Sequence, residues 1–203
     1  MRDGCVDESR CNEMVVAAIG ADASIMPGTC FAWRAHVARY DRAMTLRIRP
    51  ATPADTTLLA DWAGAMAWET EHKRLEPAVV HAGVAAGIAD PAKARYFIAM
   101  RDAALAGHET VGVAVGTLML TCEWSDWRNG DWWWIQSVYV PEAHRRSGVF
   151  AALYRHVEQL ARATPGVIGL RLYVEKDNAS ARRTYTALGM QDAGYAMYEQ
   201  SFA

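Results

Sequence analysis

The chain has 203 residues, which is long enough for one well-buried domain. Apolar residues make up 52% of it and charged residues 22%, a composition typical of a globular protein. The formal net charge of −2 provides no general attraction to nucleic acid or to an anionic membrane. No apolar run reaches the roughly 18 residues of a membrane helix. We therefore expect no nucleic-acid partner and no insertion into a membrane.

The beginning of the chain differs from the rest. Residues 1–43 are irregular and rich in alanine, and acids in the first eight residues argue against a secretion signal. The four cysteines have no spacing typical of metal ligands, so we expect free thiols, no metal site and a cytoplasmic location. We predict an N-terminal extension over residues 1–43, either disordered or helical near residues 33–43, and one domain over residues 44–203.

Hydrophobic periodicity and capping residues predict the elements in chain order. Thr52 and Asp55 have the spacing of a capping box at the start of the first helix. The predicted elements are a strand at 44–50, helices at 53–66 and 77–89, strands at 96–100, 111–120 and 132–140, a helix at 148–163, a strand at 168–174, a helix at 179–188 and a strand at 195–202. Tight turns are predicted at 106–109 and at Asn129-Gly130. This order predicts an α/β or α+β fold of three layers with a mixed sheet.

A basic turn follows the strand that ends near Val140. Its residues are Arg145-Arg146-Ser147-Gly148-Val149-Phe150, and a helical pattern begins within it. Backbone N–H groups at a helix N-terminus, together with two arginines, form a cradle suited to phosphate. The turn lacks the Gly-Lys-Ser/Thr of a P-loop and the glycine pattern of a dinucleotide-binding fold. Taken alone, it is equally compatible with an ordinary strand–helix turn whose arginines are solvated.

This turn resembles the phosphate loop of the GNAT superfamily of acyl-CoA-dependent N-acetyltransferases, which reads Arg/Gln-x-x-Gly-x-Gly/Ala. Arg145 and Gly148 match, whereas Phe150 replaces the small residue that is usual at the last position.

A second segment, residues 172–190, is similar to the family's strand–Asn–helix–Tyr–x–x–x–Gly segment. Asn178, Tyr185 and Gly189 carry this likeness. The resemblance covers about residues 46–203 and implies a GNAT-like three-layer fold, with helices on both sides of a mixed, mostly antiparallel sheet.

The resemblance implies acetyl-CoA as the acyl donor and no metal. Backbone N–H groups of the turn would hold the pyrophosphate, and the main chain of a splayed or bulged strand would pair with the pantetheine arm. Core packing is the competing role for Val138 and Val140, and helix capping is the competing role for Asn178. The predicted cofactor-binding residues are Val138, Val140, Arg145, Arg146, Ser147, Gly148, Val149, Phe150 and Asn178.

Tyr185 matches the family's usual general acid. A phenol has a pKa near 10, above the value of about 8.5 for a thiol, so it can stay protonated and protonate the departing CoA thiolate. A tyrosine that only packs in the core is the competing interpretation. The implied reaction is direct attack of a neutral primary amine on the thioester through a tetrahedral intermediate. Cys122 is expected to be a buried thiol rather than a nucleophile.

The acceptor side is less specific. Glu123 is the predicted general base, chosen from a group of acids that also contains Glu71, and the predicted acceptor contacts are Glu69, Trp124 and Asp126. Five tryptophans between residues 124 and 134 form a candidate aromatic wall for an amine, although we expect at least half of them to lie in the core.

The predicted function is therefore acetyl transfer from acetyl-CoA to a primary amine on a small molecule or a protein. The alternative is a non-catalytic acyl-CoA-binding sensor or interaction module with the same fold. The sequence leaves the oligomeric state open, with a homodimer as one option.

Overall fold

The structure is a computed structural model and describes residues 46–104 and 110–202. The predicted extension over residues 1–43 and the predicted turn at 106–109 lie outside these residues. In the described part of the chain, the helices are too short or too polar to cross a membrane.

The described residues form five strands, four α-helices and two short 3-10 helices. In chain order these are β1 (Leu46–Pro50), a 3-10 helix (Pro53–Asp55), α1 (Thr56–Glu71), α2 (Pro77–Ala89), β2 (Arg95–Ala104), β3 (Thr110–Ser125), β4 (Gly130–Tyr139), a 3-10 helix (Glu142–His144), α3 (Val149–Ala163), β5 (Val167–Leu172) and α4 (Ala179–Ala187).

The strands form one sheet in the order β1-β2-β3-β4-β5. Neighbouring strands are antiparallel, except that β4 and β5 run parallel. A parallel pair needs a crossover connection, and α3 provides it. The predicted mixed, mostly antiparallel sheet is confirmed.

Helices cover both faces of this sheet. On one face, α3 packs on a core that includes the fully buried Leu118, Ile135 and Leu153. On the other face, α1 and α2 pack against residues such as Ile98, which contacts Leu59 of α1. The helices and the sheet therefore form the three layers predicted from the element order.

A capping box fixes the start of α1. The Asp55 carboxylate accepts hydrogen bonds from the Thr52 N–H at 2.7 Å and from the Arg49 guanidinium at 2.8 and 2.7 Å. The hydrogen bonds from Arg49 are the main reason why the pKa of Asp55 falls to about 2. The predicted capping box is present, although the helix starts as a 3-10 turn and α1 continues to Glu71 instead of ending at residue 66.

Two predicted bounds shift in ways that affect the site. Strand β3 runs to Ser125, so Glu123 and Trp124 lie on the strand and not in the loop after it. Strand β5 ends at Leu172, two residues before the predicted end of that strand.

The predicted final strand over residues 195–202 is wrong. Residues 190–202 have no regular secondary structure, and Tyr195, Tyr198 and Phe202 are 84%, 94% and 92% exposed. Alternating apolar residues form a strand only when another strand satisfies their N–H and C=O groups. Among the described strands, none pairs with this segment.

Candidate active site

Strand β4 contains a β-bulge in its second half. Met119 of β3 pairs with Ser137, but the next residue, Leu120, pairs with Ile135. Gln136 is therefore an extra residue without a partner on β3. A bulge of this kind interrupts the hydrogen-bond ladder and increases the local twist of the strand.

Pairing between β4 and β5 ends at the same point, and we call the space beside the unpaired part of β4 the cleft. The last pair between these strands is Ile135 with Leu172, and beyond it residues 136–139 face no described strand on the β5 side. The side chains of Val138 and Val140 are 0% and 1% exposed. They therefore pack in the core, which is one of the two roles predicted for these valines. The backbone of this stretch borders the cleft, where an extended ligand can add as a strand does.

The basic turn leads from β4 into α3. Arg146 and Gly148 have positive φ angles of 57° and 80°, which turn the chain sharply into the helix. Gly148 is the N-cap residue of α3 and offers no capping side chain. The first N–H groups of α3 therefore have no partner within the helix and no cap, which makes this end suited to an anion.

Ser147 links this turn to the neighbouring strand. Its hydroxyl donates to the His144 carbonyl at 2.5 Å and accepts from the Arg101 guanidinium at 2.7 Å. Arg101 belongs to β2, 46 residues away in sequence, so it brings a further positive charge to the turn. Sequence reasoning missed Arg101, because nothing local connects it with the turn.

The side chain of Phe150 points into the core and not across the turn. It is 8% exposed, and its ring centroid lies 6.2 Å from that of Tyr154 and 6.1 Å from that of Tyr185. Its bulk is thus accommodated in the core beside the predicted acid, while its backbone N–H remains in the first turn of α3.

Arg145, Glu69 and Tyr139 form a cluster that we call the latch. The Arg145 guanidinium donates to a Glu69 carboxylate oxygen and also to the Val140 carbonyl, the latter at 2.9 Å. The other Glu69 oxygen accepts from the Tyr139 hydroxyl at 2.8 Å. Burial and this hydrogen bond raise the pKa of Tyr139 to about 12. The latch ties the end of α1 to the basic turn, so both predicted residues, Arg145 and Glu69, are engaged with each other.

Tyr185 lies on α4, where its ring packs in the core. It is 4% exposed, and its hydroxyl is buried without a hydrogen-bond partner among the described residues. Burial raises the pKa of Tyr185 above the ordinary value of a phenol. A buried hydroxyl without a partner is costly, so its presence is better explained by a ligand group than by packing alone.

Asn178 is the N-cap of α4. Its Oδ1 atom accepts a hydrogen bond from the Ala181 N–H at 2.9 Å. The capping interpretation is confirmed, and contact with a cofactor stays a prediction.

A cavity of about 270 Å³ lies between α1, α2 and the sheet. Met119, Ser137 and Tyr139 are among its lining residues, and these flank the bulge or follow it directly. The cavity therefore reaches the same stretch of β4 that borders the cleft. Glu71 is the carboxylate that lines it.

The predicted acceptor residues near the β3–β4 hairpin do not line this cavity. The Glu123 carboxylate accepts from the Trp134 indole at 2.5 Å and from Arg171 at 2.6 Å. Trp124 is 63% exposed, and the Asp126 carboxylate accepts from the Trp127 N–H in the turn. The structure therefore brings Glu71 to the cavity and leaves these predicted residues apart from it.

Two expectations about side-chain burial are wrong. Of the five tryptophans, only Trp133 is buried, and Trp124 and Trp127 are 63% and 86% exposed. Cys122 is exposed rather than buried, and its sulfur accepts from Arg95 at 3.5 Å.

Sequence reasoning also missed the hydroxyl groups next to the bulge. Ser137 and Tyr139 carry no motif, and a regular alternation of β4 would not have placed them on the cavity side. The polar pair Gln136-Ser137 within an apolar strand was the local sign of this departure from a regular strand.

Comparison with known proteins bears on this site. The model of the acetyltransferase (GNAT) family matches residues 58–190. Among solved structures, a possible acetyltransferase from Clostridium difficile 630 is 37% identical over 78% of this chain and 98% of that chain, with a TM-score of 0.68. No curated protein sequence matches the chain.

Two more distant structures share the fold alone. A ribosomal-protein-alanine N-acetyltransferase from Brucella melitensis biovar Abortus 2308 is 16% identical over 78% of this chain and all 100% of that chain, with a TM-score of 0.56. An aminoglycoside N-acetyltransferase solved in complex with CoA is 14% identical over 80% of this chain and 98% of that chain, with a TM-score of 0.60.

Proposed function

Because the chain belongs to the GNAT acetyltransferase family, we propose that it transfers the acetyl group of acetyl-CoA to a primary amine. The observation that carries the proposal is the open stretch of β4 after the bulge at Gln136. A helix N-terminus follows this stretch, and an acceptor-sized cavity adjoins it. This arrangement suits a donor that has a phosphate end and an extended arm.

The turn and the cleft have the chemistry that acetyl-CoA requires. The donor supplies an activated acetyl thioester, and the uncapped N–H groups of α3 suit its pyrophosphate. Arg146 and Arg101 provide positive charge at the turn. Arg145 is held in the latch, so its proposed contribution is to fix the turn and not to bind phosphate with its side chain.

Tyr185 is the proposed general acid. Its hydroxyl stays protonated over the neutral range, because burial raises its pKa. The absence of a protein partner for this hydroxyl, among the described residues, leaves its proton available for the leaving thiolate.

Glu71 is the proposed base, in place of Glu123. An amine must lose a proton to attack or during attack, and a carboxylate at the cavity can accept it directly or through water. Glu71 lines the cavity, whereas the Glu123 carboxylate is bonded by Trp134 and Arg171.

The test combines binding with turnover. We expect CoA to bind the purified protein in calorimetry, and acetyl-CoA to release free CoA thiol with at least one member of a panel of primary amines. Arg146→Glu should raise the Kd for CoA at least about ten-fold, since a charge-assisted hydrogen bond contributes about 1.5–3 kcal/mol. Arg155→Glu, the same charge change at an exposed position of α3, should leave the Kd within about two-fold of the wild type.

Two outcomes contradict the proposal. Absence of CoA binding at millimolar concentration removes the donor, and equal effects of the two charge reversals remove the turn as its site. Binding without turnover on any amine supports the non-catalytic alternative.

A further inference from the structure

The cavity beside the bulge has walls that consist mostly of carbon. Three of its apolar residues are 7% exposed or less, so the walls are part of the packed structure and not loose surface chains. The apolar lining includes Leu59, Trp62 and Met66 from α1, Leu75 and Val84 from the α2 side, and Met119 from β3. Trp62 and Tyr139 stand with ring centroids 6.0 Å apart and form an aromatic corner.

Charge is confined to the end of α1. Glu71 and Lys73 are the charged residues among those that line the cavity, and they have opposite signs. The other acid nearby, Glu69, is neutralised in the latch by Arg145. A second positive charge on the acceptor would therefore lose its hydration inside the cavity without a carboxylate to pair with, and this is costly.

The size of the cavity suits a small acceptor. Its volume of about 270 Å³ lies just below the usual range of ligand pockets. A small molecule with one amine and a compact body fits this space.

We propose that the acceptor is a small primary amine with an apolar body, aliphatic or aromatic, and no second charge. The apolar body lies against Trp62 and Met66, and the amine faces Glu71 and the bulge. This inference rests on the proposed acetyl transfer and specifies its acceptor.

A homologous series of linear alkylamines tests the apolar walls. Each added methylene should raise kcat/KM about four-fold until the chain outgrows the cavity, which corresponds to about 0.8 kcal/mol per buried methylene. Amines of equal length that end in a hydroxyl or in a second ammonium should be poorer substrates. Calorimetry of the same amines with the CoA-bound protein gives a readout that needs no turnover, and the Kd should follow the same order.

Ala63 lines the cavity from α1 and offers a matched pair of variants. Ala63→Leu fills part of the space and should raise the Kd of the longest accepted amine at least ten-fold, with CoA affinity unchanged. Ala86→Leu makes the same substitution on the exposed side of α2 and should leave both affinities unchanged. Circular dichroism of both variants verifies the fold.

Three results overturn the inference. One is a flat response to amine length, and another is a preference for diamines or amino sugars. The third is a preference for longer acyl-CoA donors that is lost in Ala63→Leu. In that case the cavity would bind the acyl chain of the donor and not the acceptor. Failure of the proposed acetyl transfer is distinguishable, because in that case no amine turns over while the calorimetric series still reports on the cavity.

Discussion

Substitution of Tyr185 by phenylalanine should lower activity and raise stability at the same time. The hydroxyl is buried without a partner among the described residues, and such a group costs about 1–3 kcal/mol relative to a satisfied one. Tyr185→Phe removes the hydroxyl and keeps the ring that packs on Phe150. We expect the free energy of unfolding to increase by about 1 kcal/mol, or the Tm by about 2–4 °C for a chain of this size.

The effect on turnover follows from the proton. General acid catalysis contributes about 10²-fold to 10⁴-fold, so kcat should fall at least about 100-fold, while the Kd for CoA should change little. Because burial raises the pKa of Tyr185, the wild-type rate should show no loss from phenol ionisation as the pH rises to about 10. Urea denaturation measures the first effect, and release of CoA thiol measures the second.

Tyr154→Phe is the matched control. Tyr154 is also 4% exposed and its ring also lies beside Phe150, with 6.2 Å between the ring centroids, so the same atom is removed from the same core. It should leave kcat unchanged. A loss of stability above about 1 kcal/mol in Tyr185→Phe would mean that the hydroxyl has a partner in the free protein. A kcat above one third of the wild-type value would remove Tyr185 from the acid role.

Three further predictions concern the support of the site. Asp55→Asn should lower the free energy of unfolding by about 1–2 kcal/mol at pH 7. This is less than the full pKa shift of Asp55 would give, because Arg49 is partly exposed and solvent screens its charge. Since the pKa of Asp55 is lowered, this contribution is present above about pH 4 and is lost as the pH falls towards 2; urea denaturation across pH measures it. Gly116→Ala places a Cβ 2.7 Å from a Val149 methyl group, so it should cost about 1–3 kcal/mol in urea denaturation and weaken CoA binding in calorimetry by displacing the start of α3. Glu71→Gln should lower kcat at pH 7 at least about 100-fold with the Kd for CoA unchanged.

Each of these has a result that contradicts it. If the difference between wild type and Asp55→Asn is as large at pH 3 as at pH 7, the carboxylate charge is not the cause. Unchanged stability of Gly116→Ala would mean that α3 and β3 do not approach as closely as described. If Glu123→Gln loses turnover and Glu71→Gln does not, the base is the residue that the sequence indicated first.

The sequence predicted the parts of the fold that depend on local patterns. The capping box at Thr52 and Asp55 and the helix over Val149–Ala163 follow from side chains within one or two turns of each other. The final strand could not be predicted in the same way, because a strand depends on an unoccupied partner that the local pattern does not encode.

The predictions for the site divide in the same way, into those that depend on local patterns and those that depend on distant residues. The turn at Arg145 and Gly148 and the role of Tyr185 were predicted because these residues lie in contiguous motifs. The acidic residues of the acceptor side could not be separated in this way, since Glu69 and Glu71 lie two residues apart and have different environments. One is bonded by an arginine 76 residues away, whereas the other lines the cavity.

The extra residue at Gln136 inverts the alternation of β4. Trp133 and Ile135 face the core under α3 before it, and Val138 faces the same core after it, so odd-numbered positions give way to even-numbered ones. Deleting Gln136 would restore the regular alternation and leave Val138 facing that core and Tyr139 facing the cavity, because Ser137 would then directly follow Ile135. The faces of the strand would therefore be kept, and a segment shorter by this residue would lose only the interruption of the hydrogen-bond ladder. Removal of this one residue would make the pairing with β3 continuous beside the cleft, whereas a substitution at Gln136 changes only one side chain.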